Sequence, residues 1–280
     1  MTGQEGLLIL LFFSPVLGFA VLFRNSWRDR QLVMAAVLGG LTGAAATLPV
    51  KFLAYPLINR LLEVDLRRMI IETTSFHTKI LACIGVIGPV EEAAKLLGVI
   101  LALSIAGLLT RPAAIFMAAV AVGVGFSLAE NLDYYHLFGP EVLFIRVMIS
   151  STGHAVFAGI FGLAGAQAIP RAHLGGRRKA GWEFLTMMTG LALAALAHGA
   201  FNAVAFSLGP DASIPLLATV LLLGVTILYS FWIRVLRLDT PLVPFSWRCP
   251  GCNTRRFGRE RFCPACGSRV VTVSLFQTQE

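Results

Sequence analysis

Apolar runs of about twenty residues or more alternate with short polar breaks along almost the whole chain. The pattern predicts membrane spans near 6–23, 31–50, 79–108, 112–131, 142–169, 182–208 and 213–233. Each run is long enough to cross a ~30 Å hydrocarbon core at ~1.5 Å per helical residue. The expectation is an all-α polytopic membrane protein of about seven transmembrane helices.

The polar breaks orient the spans. No Lys or Arg precedes the first run, and Arg24, Arg28 and Arg30 follow it. A cleaved leader has the opposite order, so a retained span with its N-terminus outside is expected. By the positive-inside rule, 24–30, the Arg111 turn, 170–181 and the tail lie inside. The acidic breaks 132–141 and 209–212 then lie outside. The segment 51–72 is discordant, because it places Lys51, Arg60, Arg67 and Arg68 outside. An amphipathic helix lying on the membrane surface accommodates it.

Composition agrees with this class. Of 280 residues, 56% are hydrophobic and only 14% charged, with mean hydropathy +0.77. Globular chains carry about 25% charge. The net charge of +8 is what cytoplasmic loops facing anionic lipid require. It makes the bilayer the first partner and leaves nucleic acid, met through the basic tail, a minor alternative.

Candidate chemistry lies where charge is expensive. An ionisable group near mid-membrane costs ~2.5–3.5 kcal/mol, and such groups are functional or paired. The third run contains Gly88-Pro89-Val90-Glu91-Glu92-Ala93-Ala94-Lys95. Glu91 and Lys95 share a face at i,i+4 and can pair. Glu92 points elsewhere and needs another partner. Pro89 loosens the preceding helix turn. The fourth run ends in Phe126-x-x-x-Glu130-Asn131. Glu130 reads as a ligand, an acid or an orienting group, or as an interfacial carboxylate at a helix end. His154 in the fifth run shares a face with Ala158 and Gly162. His198 in the sixth shares one with Gly190, Ala194 and Asn202. Small residues at this period mark tight helix contacts, so both histidines should face the bundle. With the orientation above, Glu91, Glu92, His154 and His198 fall roughly 14–20 Å from the outer ends of their spans. One buried polar cavity is the expectation. His77 and His136 fall in outer loops and His173 in an inner one, with no chemistry assigned.

Two arrangements of these groups hydrolyse a peptide. In one, His154, His198 and Glu130 bind Zn²⁺, and Glu91 or Glu92 takes the proton of its water. In the other no metal is needed: a glutamate activates water, a histidine assists, and Asn202 with His198 holds the oxyanion. No His-Glu-x-x-His motif decides between them. A proton-coupled transporter or a non-catalytic membrane scaffold are the rival classes.

Glu91-Glu92-x-x-Lys95, Phe126-x-x-x-Glu130-Asn131, His154 and His198-x-x-x-Asn202 follow in order on successive spans. This resembles the PrsW family of bacterial intramembrane proteases over about residues 30–235. It is more distantly similar to the CAAX prenyl endopeptidase (ABI) superfamily. Lys95 stands one position early in place of that superfamily's Arg, and Glu130 in place of its His. Both departures match the PrsW branch. The resemblance implies cleavage of single-span membrane proteins, such as an anti-sigma factor already trimmed outside, in the cell membrane. Glu91 and Glu92 would supply the water-activating carboxylate. Glu130, His154 and His198 would complete the site, with Lys95 and Asn131 in support.

Past about residue 240 the character changes. Cys249-Pro-Gly-Cys252, ten residues, then Cys263-Pro-Ala-Cys266 reads as a zinc ribbon, four thiolates around a structural ion. A module this small needs metal to fold. It would lie in the cytoplasm and could recruit a partner or substrate there. Cys83 reads as a packing residue. The expected organisation is a membrane domain over 1–240, a ribbon over 246–272 and a tail over 273–280.

Overall fold

The computed structural model describes residues 3–175, 177–207, 210–238, 246–248, 251–253, 255–257 and 265–266. The chain divides into two units, 1–239 and 240–280. All regular secondary structure of the first is helical among the described residues. In order it holds α1 (Gly3–Leu22), α2 (Arg30–Pro49), α3 (Tyr55–Leu62), α4 (Leu66–Ile71), α5 (Phe76–Ala82), α6 (Gly88–Ala106), α7 (Pro112–Phe138), α8 (Pro140–Ile145), α9 (Ser151–Gly175), α10 (Arg177–Ser207) and α11 (Pro210–Leu238).

Local chemistry sets several of these boundaries. Asp29, Asp65 and Ser75 cap α2, α4 and α5, each side-chain oxygen accepting from backbone N–H groups of the first turn. Pro112 opens α7 at a position where no N–H is needed. Gly107, at φ 67°, closes α6 in the left-handed conformation.

α7 is the axis of the unit. Every residue from Pro112 to Ser127 is buried, so no face of that stretch is polar or lipid-facing. Its neighbours reach it through glycines. A Cβ on Gly43 of α2 would lie 2.2 Å from the Val122 carbonyl oxygen, and one on Gly125 of α7 would lie 2.0 Å from that of Gly40. On the other side, a Cβ on Gly123 would meet the His154 carbonyl oxygen at 2.4 Å. α10 closes on the start of α6 in the same way, with Gly88 against Ala195 and Gly199 against Cys83. Lipid gives helices no hydrophobic reason to associate, so close backbone approach supplies the packing energy. At one end of α7, Phe116, Phe23 and Trp232 form an aromatic cluster that ties in α1 and α11.

The solvent-facing surface is inverted relative to a water-soluble protein. Leu101, Leu193, Leu222 and Leu223 are exposed, while Glu92 and Lys95 are fully buried. Five helical stretches among the described residues are long and apolar enough to cross a membrane: Arg30–Leu62, Pro112–Phe138, Pro140–Ala168, Gly181–Ser207 and Ile214–Leu236. They correspond to five of the seven expected spans. The first expected span is α1. The third is α5 and α6 with a π turn between them, and α6 carries three charges.

Several expected boundaries move. The second span does not stop near residue 50: a π turn at Val50–Ala54 carries the helix on into α3, so 51–62 is helical as expected but continues the span instead of forming a separate surface helix. The expected outer loop 132–141 is mostly α7, which runs to Phe138. Its last turns have polar partners from other helices, which a reading of hydropathy alone does not register. His136 therefore lies in α7 and His77 in α5. The expected inner loop 170–181 is largely helical backbone of α9 and α10, and contains His173. Ion pairs join the connections at the two ends of the bundle. Arg111 holds Asp29 through Nη2–Oδ2 at 2.6 Å, and Lys51 pairs with Asp133. Lys51, discordant in the sequence, thus has an acidic partner.

In the second unit, β1 (Ser246–Arg248) pairs antiparallel with β2 (Arg255–Phe257), Trp247 opposite Arg256. Asn253, with φ 54°, turns the chain between them. Cys252 lies in that connection and is exposed, as is Cys266. Cys249 and Cys263 lie outside the described residues, as does the 273–280 tail.

Candidate functional site

The π turn Cys83–Ile87 precedes α6 directly, and Pro89 lies in the first turn after it. A π turn shifts the helical phase, and Glu91, Glu92 and Lys95 all end up buried. His154 enters from the first turn of α9 and His198 from the middle of α10, both buried. Glu130 and Asn131 come from α7. Every residue expected at the active site therefore belongs to one cluster.

Its connections are specific. Lys95 Nζ donates to Glu92 Oε1 at 2.6 Å and lies 2.8 Å from His154 Nδ1. Glu92 Oε1 also lies 2.8 Å from His198 Nδ1. His198 Nε2 is 3.2 Å from Asn202 Nδ2 and 3.6 Å from Glu91 Oε2. Glu91 Oε1 accepts from the Tyr55 hydroxyl at 2.7 Å. Glu130 Oε2 lies 2.9 Å from His154 Nε2 and accepts from Arg146 Nη2 at 2.7 Å. The rings of His154 and His198 meet edge to face at 4.9 Å, and Phe157 stacks on His198 at 5.1 Å.

These partners assign the protons. Lys95 can only donate, so His154 Nδ1 accepts and Nε2–H points at Glu130. His198 gives its Nδ1–H to Glu92, which leaves the Nε2 lone pair directed toward Asn202 and Glu91. Two buried oxygens, Glu91 Oε2 and Glu92 Oε2, have no hydrogen-bond partner among the described residues. A buried acceptor left bare costs about 1–3 kcal/mol, so something is expected to bind there.

Two expectations change. Lys95 pairs with Glu92 at i,i+3, not with Glu91 at i,i+4. Both spacings share a helix face, and His154 on one side and Tyr55 on the other decide the choice. Glu130 is not an interfacial carboxylate: it is mostly buried between Arg146 and His154. Tyr55 and Arg146 were not expected in the site. Arg146 had a signal in the sequence, a lone cation inside the apolar run 142–169. Tyr55 had none, since it lies in the segment 51–72, expected on the outer membrane surface away from the site.

A family model describing PrsW family intramembrane metalloproteases matches residues 27–232. The chain belongs to the PrsW family. The matched region carries all of the clustered residues, from Tyr55 to Asn202. No curated protein and no solved structure matches the chain.

The family description implies a metal, and the donors can be tested against one. Glu91, His154 and His198 offer ligand atoms that all lie within 4.8 Å of one another. This set contains Glu91 where the sequence reading had Glu130. Zinc ligands at ~2.0–2.1 Å in a tetrahedron lie about 3.4 Å apart, close to the 3.6 Å between Glu91 Oε2 and His198 Nε2. Glu92 on the far nitrogen of His198 is the carboxylate–histidine support that metal sites use. His154 joins such a set only by giving up one of its two present hydrogen bonds. The donor set fits a divalent cation at Glu91 and His198, with His154 as the ligand that must rearrange.

Proposed function

We propose that this chain is an endopeptidase that hydrolyses peptide bonds of single-span membrane proteins within the bilayer, a trimmed anti-sigma factor being one substrate of the right kind. The observation that carries the reading is Glu91 Oε2, a bare buried carboxylate oxygen 3.6 Å from His198 Nε2, whose lone pair accepts from Asn202. A water placed between them is within reach of both. Glu91 takes the proton of that water as its oxygen attacks the scissile carbonyl carbon. Glu92 and Lys95 hold His198 and His154 in place while charge builds on the carbonyl oxygen. The second N–H of the Asn202 amide is a neutral donor beside His198 that can serve that oxyanion. The proton taken by Glu91 then passes to the leaving amine, which breaks the C–N bond. A bound divalent cation would lower the pKa of its water to about 7 and polarise the carbonyl.

The orientation in the cell membrane follows the charges, with the N-terminus outside and the C-terminal unit in the cytoplasm. The pairing of Asp29 with Arg111 and of Lys51 with Asp133 agrees with grouping each pair on one side; the positive-inside rule supplies which side is cytoplasmic. In that orientation α1 and α6 complete seven spans. The four tail cysteines, Cys249, Cys252, Cys263 and Cys266, hold a structural zinc, and the ribbon so formed engages a cytoplasmic partner.

Metal content measured beside activity tests both metal assignments. Wild type should carry one zinc lost on Cys252→Ser while cleavage persists. If a second zinc is lost on His198→Ala, and a chelator stops cleavage without lowering the melting temperature, the metal form is established. Chelator-resistant cleavage by protein lacking the second zinc establishes hydrolysis by Glu91 alone.

A further inference from the structure

We propose that Arg146 is a positioning residue for His154, acting through Glu130 and Asn131. The proposal rests on the proteolytic reading for its kinetic consequence only.

Arg146 opens the π turn Arg146–Ser150 that leads into α9. Its side chain is 13% exposed. The guanidinium reaches across to three residues of one α7 stretch. Nη2 donates to Glu130 Oε2 at 2.7 Å, and Nε donates to Asn131 Oδ1 at 3.0 Å. Its plane lies over the Tyr134 ring at 3.6 Å. A planar fork with fixed donors can hold an acid and an amide together, which an ammonium cannot.

From there two routes lead to His154. In the direct one, the same Glu130 oxygen that Arg146 binds lies 2.9 Å from His154 Nε2. In the second, Asn131 Nδ2 donates to Ser151 Oγ at 2.8 Å, and Ser151 lies three residues before His154 on α9, one turn away on the same face. Arg146 therefore fixes both the acceptor that the ring faces and the helix turn that carries the ring. Lys95 fixes the other nitrogen from α6.

Charge makes the clamp necessary. Glu91, Glu92 and Glu130 converge on the two histidines, and Lys95 balances only Glu92 by contact. Without Arg146, Glu130 keeps a neutral histidine as its one described partner in a poorly solvated place. Such a carboxylate turns away toward other donors, which releases Nε2 of His154.

The test uses the full chain in detergent, with Arg146→Gln, Arg146→Lys, Glu130→Gln and the double variant Arg146→Gln/Glu130→Gln. Two readouts are taken: ¹⁵N shifts of the His154 ring, assigned with His154→Asn, and kcat and KM for cleavage of a single-span substrate. Arg146→Gln should move the His154 Nε2 resonance and lower kcat about 10–100-fold, the usual scale for losing an orienting partner, with KM little changed. Arg146→Lys should fall between, and the double variant should be slower than Glu130→Gln by less than the full Arg146→Gln factor, the remainder being the Asn131 route. Unchanged His154 resonances in a folded Arg146→Gln protein would overturn the proposal, as would losses that multiply in the double variant. If wild type cleaves nothing, the proteolytic reading fails while the ¹⁵N shifts still decide the role of Arg146.

Discussion

Adjacent glutamates here have unlike partners. Glu92 Oε1 is shared between Lys95 and His198, so this carboxylate is neutralised and fixed. Glu91 has one oxygen on Tyr55 and the other bare. Both carboxylates keep a bare Oε2, and that of Glu91 lies 3.6 Å from His198 Nε2; on the proposed mechanism this makes Glu91 the base and Tyr55 its tether. Tyr55→Phe should keep the fold and free Glu91 to rotate. Loss of one hydrogen bond to a charged group, about 1.5–3 kcal/mol, predicts a fall in kcat/KM of roughly 10–100-fold. Cleavage rates measured at matched melting temperature check it. The clustered carboxylates and histidines were legible in the sequence because ionisable groups in apolar runs are rare. Their pairing was not. Whether Lys95 turns to Glu91 or Glu92 depends on His154 and Tyr55, which lie far away in the chain.

At the scale of elements, glycines determine how closely the helices that carry the site approach. Gly43 and Gly40 are one turn apart on α2, yet a Cβ on Gly43 strikes Val122 backbone while one on Gly40 meets nothing within 4 Å. Gly43→Ala should therefore destabilise by about 1–3 kcal/mol, and Gly40→Ala should be neutral or slightly stabilising. Thermal melting in detergent separates the two; equal effects would mean that α2 does not pack on α7 as described. Helix existence was readable from hydropathy, and the small-residue faces of His154 and His198 pointed inward correctly. The helix ends were not readable. π turns at Val50–Ala54, Cys83–Ile87 and Arg146–Ser150 leave no period in hydropathy, and each lies just before residues of the site.

At the scale of the whole molecule, ion pairs fasten the ends of the bundle. The hydrogen bond from Arg111 holds the Asp29 carboxyl below its usual range. A depressed folded pKa contributes stability above the unfolded value of about 3.9, and that contribution is lost as pH falls through the folded one. Asp29→Asn keeps the helix cap and removes the charge. It should lower the melting temperature slightly near neutral pH, since a partly exposed pair contributes about 1 kcal/mol. The difference from wild type should shrink as pH drops below about 4. A deficit independent of pH would mean that the ion pair contributes nothing.

The central claim is that the buried cluster cuts peptide bonds inside the membrane. It is met most directly in proteoliposomes holding a single-span substrate with wild type or Glu91→Gln, the product ends being read by mass spectrometry. Wild type should give product ends within the apolar span of the substrate. For a Glu91→Gln protein of unchanged melting temperature, cleavage should be reduced at least about 100-fold, as loss of a general base requires. Undiminished cutting by Glu91→Gln would contradict the claim, and so would proton flux without any cleavage by wild type.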